Sequence, residues 1–375
     1  MTPKTPASRC SGPSQASRPR ADEGAARPAP RQALLARFLD PLARAAYRRL
    51  RLGRLPPFPK AVFLETTSRC PLSCPMCPRS TMQRQPQDMD ADLFHRIIDE
   101  LEPRDSAGEL RLVVLHLFGE PLVDRRFFDL ARHAAERLPR LRERVAAADP
   151  MQGLSVSTNA VFLDDWARGQ ILHSGLTWVG LSLDGTTKHT YEQLRRGASF
   201  EQVVDKVRAL LALNARHPGP KPNLGLQILR TKTTEKELAA FEREWREASE
   251  GQDNVFVWVK QYTDWAGQVA DERFADVDSR PWFVRTPCIS PFQTLAVCAG
   301  GEVTVCCYDV DCRLQVGDAR RESLGEIWHG ERLARVRRAM LRGAWRDMPL
   351  CARCQHSRTY LRDVLFRRRG RPAAP

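Results

Sequence analysis

Six short apolar runs rich in β-branched residues recur between residues 61 and 261, at 61–67, 111–118, 153–158, 178–184, 223–230 and 255–261. Helical patterns separate them near 90–101, 126–138, 164–173, 200–214 and 234–248. Parallel strands need a crossover long enough to carry a helix, so this alternation predicts an α/β fold built on a parallel sheet. The crossovers should be right-handed. In such folds chemistry collects at the carboxyl ends of the strands, so the residues that close each run are the ones to read for function.

The first run leads into Thr66-Thr67-Ser68-Arg69-Cys70-Pro71-Leu72-Ser73-Cys74-Pro75-Met76-Cys77-Pro78. The prolines and serines make this a loop after a buried strand rather than a helix face. Three cysteines spaced C-x3-C-x2-C can wrap their thiolates around one inorganic cluster. A closed cluster uses four protein thiolates, so one iron would stay open. Two plainer readings stand beside this one: a zinc site, which prefers paired C-x2-C knuckles and four closed ligands, and three unrelated buried cysteines.

The spacing resembles that of the radical S-adenosylmethionine (SAM) enzyme family. That resemblance implies a partial (β/α)6 TIM-like barrel and a 4Fe–4S cluster on Cys70, Cys74 and Cys77 whose open iron chelates SAM. Reductive cleavage then gives a 5′-deoxyadenosyl radical that abstracts a substrate hydrogen. The other strand ends agree. Phe118-Gly119-Glu120-Pro121 resembles the family's Gly-Gly-Glu-Pro element, which implies that Gly119 and Glu120 hold the SAM amino group; Phe118 departs from the pattern. Thr158-Asn159-Ala160 resembles Thr-Asn-Gly with alanine in the glycine place, and Ser182-Leu183-Asp184-Gly185 matches a fourth-strand motif. By the same resemblance Ser182 contacts SAM and Arg195, in Arg195-Arg196-Gly197-Ala198-Ser199-Phe200, suits its carboxylate. The plain alternative for each is ordinary turn chemistry, with Arg195 and Arg196 solvated. His116 is expected as a satisfied core or cavity-lining histidine. Lys260, Tyr262 and Asp264 are positioned to reach the barrel mouth, although strand alternation alone places such groups there.

Beyond Pro281 the pattern changes. Cys288 precedes a hairpin with its turn at Gly300-Gly301, then come Cys306-Cys307, a helix from about Ser323 to Arg342, and Cys351-Ala352-Arg353-Cys354. This resembles the C-terminal SPASM/twitch extension of radical SAM enzymes. The resemblance implies a second, auxiliary 4Fe–4S cluster closed by Cys288, Cys306, Cys351 and Cys354; a structural zinc knuckle is the alternative. Cys307 is expected in apolar packing, Cys312 as a spare that could replace an assigned ligand, and Cys10 and Cys298 as unligated. The expected organisation is a disordered basic extension at 1–31, an amphipathic helical segment and linker at 32–57, the barrel at 58–280, the auxiliary domain at 281–358 and a basic tail at 359–375.

Charge narrows the partners. Residues 1–60 hold thirteen Lys/Arg against three acids and residues 332–375 thirteen against two, so 61–331 carries −7 of a net +14. The basic charge therefore sits in the ends, which argues for solvated or docked tails rather than a nucleic-acid face. No apolar run reaches the length of a membrane span. Eleven cysteines without an export signal point to reduced thiols and a cytoplasmic setting. The expected function is oxidation of a small polyol, sugar or secondary metabolite, with an electron donor such as flavodoxin or ferredoxin. The alternatives are maturation of a ribosomal peptide and a non-catalytic iron–sulfur binding module.

Overall fold

The computed structural model describes residues 54–143, 152–269, 271–274, 284–354 and 358–359, with six further positions between 41 and 49. The extension expected over 1–31, nearly all of the helix expected after it, the boundary near 281 and the basic tail lie outside the described residues.

All six expected strands form: β1 (Ala61–Leu64), β2 (Leu112–Val114), β3 (Gly153–Thr158), β4 (Trp178–Ser182), β5 (Asn223–Arg230) and β6 (Val255–Gln261). They pair in chain order and in parallel. Between them run α1 (Ala91–Ser106), α2 (Phe127–Arg137), α3 (Asp165–His173), α4 (Lys188–Leu194), α5 (Phe200–Arg216) and α6 (Leu238–Ala248). The α1 helix shows the local logic. Asp90 caps it by accepting the Leu93 N–H at 3.0 Å, and Leu93, Phe94, Ile97, Ile98 and Leu101 form one buried stripe at helical spacing. Each such side chain contributes about 1.5–3 kcal/mol when fully buried. The α4 helix is an addition to the expected elements; its Thr187 cap follows the sharp turn at Asp184-Gly185, where the pattern reads as loop.

The C-terminal part does not stand apart. After the short β7 (Val284–Arg285), strand β8 (Thr294–Val297) pairs in parallel with β1, and β9 (Glu302–Thr304) and β10 (Gln315–Asp318) follow antiparallel. The result is one nine-stranded, mostly parallel sheet, ordered β10-β9-β8-β1-β2-β3-β4-β5-β6, that does not close: the arrangement of a partial TIM-like barrel. Leu295, Val297, Val303, Leu324 and Trp328 belong to the same buried core as Val62 and Val113. Because β8 runs parallel to β1, its carboxyl end emerges beside the start of the Cys70 loop. The hairpin turns at Gly301 (φ +95°) as expected, a conformation that favours glycine. The single helix expected over 323–342 is two, α7 (Leu324–His329) and α8 (Glu331–Arg342), because Gly330 between them is extended. Trp328 donates from Nε1 to the Pro56 carbonyl at 2.9 Å, which ties the first described stretch to this face. No described helix is long and apolar enough to cross a membrane.

Candidate active site

The strand ends surround a cavity of about 270 Å³. Cys70, Cys74, Cys77, Gly119, Glu120, Ser182 and Arg195 all line it, together with Lys260 and Tyr262, whereas Asp264 is not part of its wall. The cysteine loop is pinned at three points. Trp265 Nε1 donates to the Met76 carbonyl at 2.8 Å, Ser73 N donates to the Arg196 carbonyl at 3.0 Å, and Asn159 Nδ2 donates to Cys70 Sγ at 3.7 Å. Burial raises the Cys70 thiol and pushes Cys77 up to about 11. Both are therefore protonated without a metal, and loading iron must release those protons. Three thiols facing one cavity, one already receiving an amide N–H, form a donor set that fits a cluster with three protein ligands.

Gly119 is fixed by close approach. A Cβ there would stand 2.0 Å from the Thr67 carbonyl oxygen and 3.0 Å from that of Arg69. The next residue, Glu120, donates its N–H to the same Arg69 carbonyl at 2.8 Å, so the second strand end is laced to the cysteine loop. Gly119→Ala should force the two segments apart and destabilise the chain by about 1–3 kcal/mol. Denaturant melts check this, and an unchanged midpoint would show that the loop yields freely.

Glu120 and Arg195 both have protein partners across the strand ends. The buried Glu120 carboxylate accepts from Thr158 Oγ1 at 2.6 Å, Asn159 N at 2.7 Å and Leu122 N at 3.1 Å. Burial raises its pKa, and the bonds from Asn159, Thr158 and Leu122 pull it back. Both oxygens already serve protein donors, so this carboxylate joins β2 to β3. Arg195 is not solvated: its Nε donates to Asp184 at 2.7 Å and the pair is buried. Burial disfavours the guanidinium charge, and the Asp184 charge more than restores it, leaving its pKa raised. Asp184 also accepts the Leu229 N–H at 2.7 Å, so it holds the ends of β4 and β5 together. Ala160, where glycine is usual in the family, adopts a left-handed φ of +61°, which explains that preference.

The second cysteine set also gathers. Cys306 is within electrostatic reach of Cys288 and Cys354, and Cys351 of the same two. Tyr308 N donates to Cys306 Sγ at 3.4 Å, and Cys288 and Cys351 pack beside Phe292, Met340 and Trp345. Four thiols of this kind fit a cluster with four protein ligands. Among the described residues no three His, Cys, Asp or Glu groups converge as a single metal ion needs; a four-iron cluster takes each thiolate at a separate iron and makes no such demand. Two expectations change. The strand ends at Thr304, so alternation does not send Cys307 into apolar packing; it lies within reach of Cys288, Cys354 and Lys260. Cys298 and Cys312 form a disulfide, so Cys312 is no substitute ligand and the cysteines are not all free thiols.

Glu65, Gln227 and Tyr308 escape the sequence reading. Glu65, fully buried, accepts from Arg84 Nη2 at 2.6 Å, Ala299 N at 2.9 Å and Phe118 N at 3.3 Å. One carboxylate thus joins the cysteine loop, the second strand end and the C-terminal hairpin. Its only signal is an acid closing an apolar run. Tyr308, two residues past Cys306, lines the cavity and packs on Trp265, ring centroids 5.1 Å apart. His116 lines the cavity as expected, and burial, followed by the Lys260 charge, lowers its pKa from 6.5 to about 3. The unfolded chain then binds more protons than the folded one across that range, so His116 lowers stability as pH falls from 6.5 towards 3.

Residues 64–217 match the radical SAM superfamily, and residues 288–355 match an iron–sulfur cluster-binding domain. The tungsten-containing aldehyde ferredoxin oxidoreductase cofactor-modifying protein of Pyrococcus furiosus is 29% identical over 188 residues, 49% of this chain and 47% of that protein. The chain therefore spans about half the length of that relative. An S-adenosyl-L-methionine-dependent 2-deoxy-scyllo-inosamine dehydrogenase of Niallia circulans is 21% identical over 300 residues, 78% of this chain and 91% of that protein. The crystal structure of Streptococcus suis SuiB bound to precursor peptide SuiA superposes with a TM-score of 0.55 at 12% identity, covering 79% of this chain and 70% of that one. At that identity the likeness shows the fold.

Proposed function

The chain belongs to the radical SAM superfamily and carries a C-terminal iron–sulfur cluster-binding domain, and on that footing we propose that it oxidises a small hydroxyl-bearing molecule such as a polyol, sugar or secondary metabolite. The superfamily domain brings SAM and a 4Fe–4S cluster as cofactors, and the C-terminal domain brings auxiliary cluster binding. In this reading Cys70, Cys74 and Cys77 hold the first cluster, and Cys288, Cys306, Cys351 and Cys354 hold the auxiliary one. When bound, these groups supply a 5′-deoxyadenosyl radical to take a substrate hydrogen atom and an acceptor for the electron that remains.

The observation that carries this reading is the place of the cavity. It is walled by the three-cysteine loop and by Tyr308, two residues beyond Cys306 of the second set. A molecule held there touches elements from both cysteine regions. The walls include His116, Ser157, Gln227 and Lys260, so the space offers hydrogen bonds to an oxygen-rich molecule. The dehydrogenase relative named above, which acts on a cyclitol amine by its name, supports the same class. The aromatic side is Phe118, Trp265 and Tyr308, packed ring against ring, which gives the cavity one apolar wall and limits what a reactive radical can meet there.

The chain, reconstituted anaerobically and given SAM, a strong reductant and a panel of polyols, is expected to release 5′-deoxyadenosine and a ketone in equal amounts. No 5′-deoxyadenosine above background would sink the enzymatic reading. Cleavage without any oxidised polyol would turn the search to peptide substrates.

A further inference from the structure

Two polar side chains on the cavity wall have no part in holding the cysteine loop: His116, just past β2, and Lys260, near the end of β6. The backbone N–H of Ser157 meets His116 Nδ1 at 3.2 Å. An N–H can only donate, so Nδ1 carries no proton and the ring hydrogen sits on Nε2. With its pKa held near 3 the ring stays neutral, and His116 is a fixed donor. Lys260 is half-buried and opens onto the same cavity. It forms no ion pair among the described residues, and its Nζ lies 5.9 Å from the centre of the Trp258 ring.

The acid nearest in charge to Lys260 is Asp184, which already serves the Arg195 guanidinium and the Leu229 N–H. The groups that face Lys260 are His116 from the end of β2, Asp184 and Arg195 from the end of β4 and the helix after it, and Cys307 from beyond β9. Burial lowers its pKa; Asp184 and Cys307 work against that and Arg195 with it. A lysine in this position keeps a larger neutral fraction than a surface one, and a neutral amine can accept a proton.

We propose that His116 and Lys260 form the hydroxyl-recognition pair of the substrate site: His116 Nε2–H donates to the oxygen of the carbinol being oxidised, and Lys260 Nζ accepts that oxygen's proton. The assignment rests on the oxidation reading above. Conversion of a secondary alcohol to its ketone breaks one C–H and one O–H bond and forms the C–O π bond. With SAM and the auxiliary cluster bound, the carbon-bound hydrogen would leave as an atom to the 5′-deoxyadenosyl group and the remaining electron would pass to that cluster, while the hydroxyl proton goes to Lys260 Nζ. Atoms and charge then balance. A substrate read by this pair carries a free secondary hydroxyl, with neighbouring oxygens for Gln227 and for Tyr262, whose buried hydroxyl has no partner among the described residues.

The test uses the full-length holoprotein with scyllo-inositol and its 1-amino-1-deoxy analogue as probes. Calorimetry on the oxidised, SAM-loaded protein, which does not turn over, reads binding apart from activity. His116→Phe should weaken binding at least tenfold. Lys260→Arg stays protonated and cannot accept the hydroxyl proton, so probe binding should weaken by less than about tenfold, a smaller loss than in His116→Phe. The ketone yield of Lys260→Arg should fall about 10²–10⁴-fold while 5′-deoxyadenosine still forms. Wild-type ketone formation should rise with pH as Lys260 deprotonates, and this rise should vanish in Lys260→Arg. Wild-type rates and pH profile in Lys260→Arg, or unchanged binding in His116→Phe, would overturn the assignment alone. If wild type cleaves SAM but oxidises neither probe, the oxidation reading fails and the assignment falls with it.

Discussion

Alanine in place of Cys70, Cys74 or Cys77 should reduce the iron bound per chain from about eight atoms to about four and abolish 5′-deoxyadenosine formation. With three protein ligands there is no spare thiolate to replace the one removed, and Cys70 already has its amide partner in Asn159. Alanine at Cys288, Cys306, Cys351 or Cys354 should also cost about four irons but leave SAM cleavage in place. The two sets thus separate by function while matching in metal loss. Iron and sulfide analysis beside chromatography of 5′-deoxyadenosine reads both. A Cys74→Ala protein that keeps its iron, or a Cys351→Ala protein that loses cleavage, would contradict the division of labour.

Glu65→Ala should destabilise the protein by about 3–5 kcal/mol, the cost of stranding one member of a buried ion pair. Arg84 is only 14% exposed and Glu65 is fully buried, so solvent does little to screen the loss. Two backbone donors, Phe118 N and Ala299 N, also lose their acceptor. The Arg84 side chain retains its bond from Nε to the Val310 carbonyl at 2.6 Å. Replacing both members, Glu65→Leu with Arg84→Met, should recover most of the stability because no charge then remains buried. Denaturant melts of the single and double variants decide it: a single variant within about 1 kcal/mol of wild type would show that the node carries little. Since Phe118 precedes Gly119 and Ala299 opens the hairpin turn, Glu65→Ala should also weaken SAM binding.

The sequence shows the barrel strands clearly because each is a short β-branched run between helical patterns, and the cysteine loop because its residue types have few other uses. Gly119 is legible through the resemblance of its motif, while the reason for glycine there, the close approach of the Thr67 carbonyl, shows only in the structure. What stays hidden depends on contacts across the chain. Nothing near Glu65 announces that its carboxylate reaches Ala299, more than two hundred positions away. The parallel pairing of β8 with β1 is equally non-local, so the C-terminal part reads as a separate unit although it extends the barrel sheet. Arg195 and Glu120 show a third limit. Their motifs mark them as site residues, yet pattern alone does not reveal that Asp184, Thr158 and Asn159 already occupy their charged groups.

The central claim is that the cluster on Cys70, Cys74 and Cys77 has an iron free of protein ligands and that this iron binds SAM. Electron-nuclear double resonance on the reduced Cys288→Ala protein, in which only the first cluster remains, tests it with SAM labelled by ¹⁵N in the amino group and ¹⁷O in the carboxylate. The account predicts hyperfine coupling from both labels. A reduced cluster that shows neither coupling would mean that the fourth iron is closed, and would contradict it.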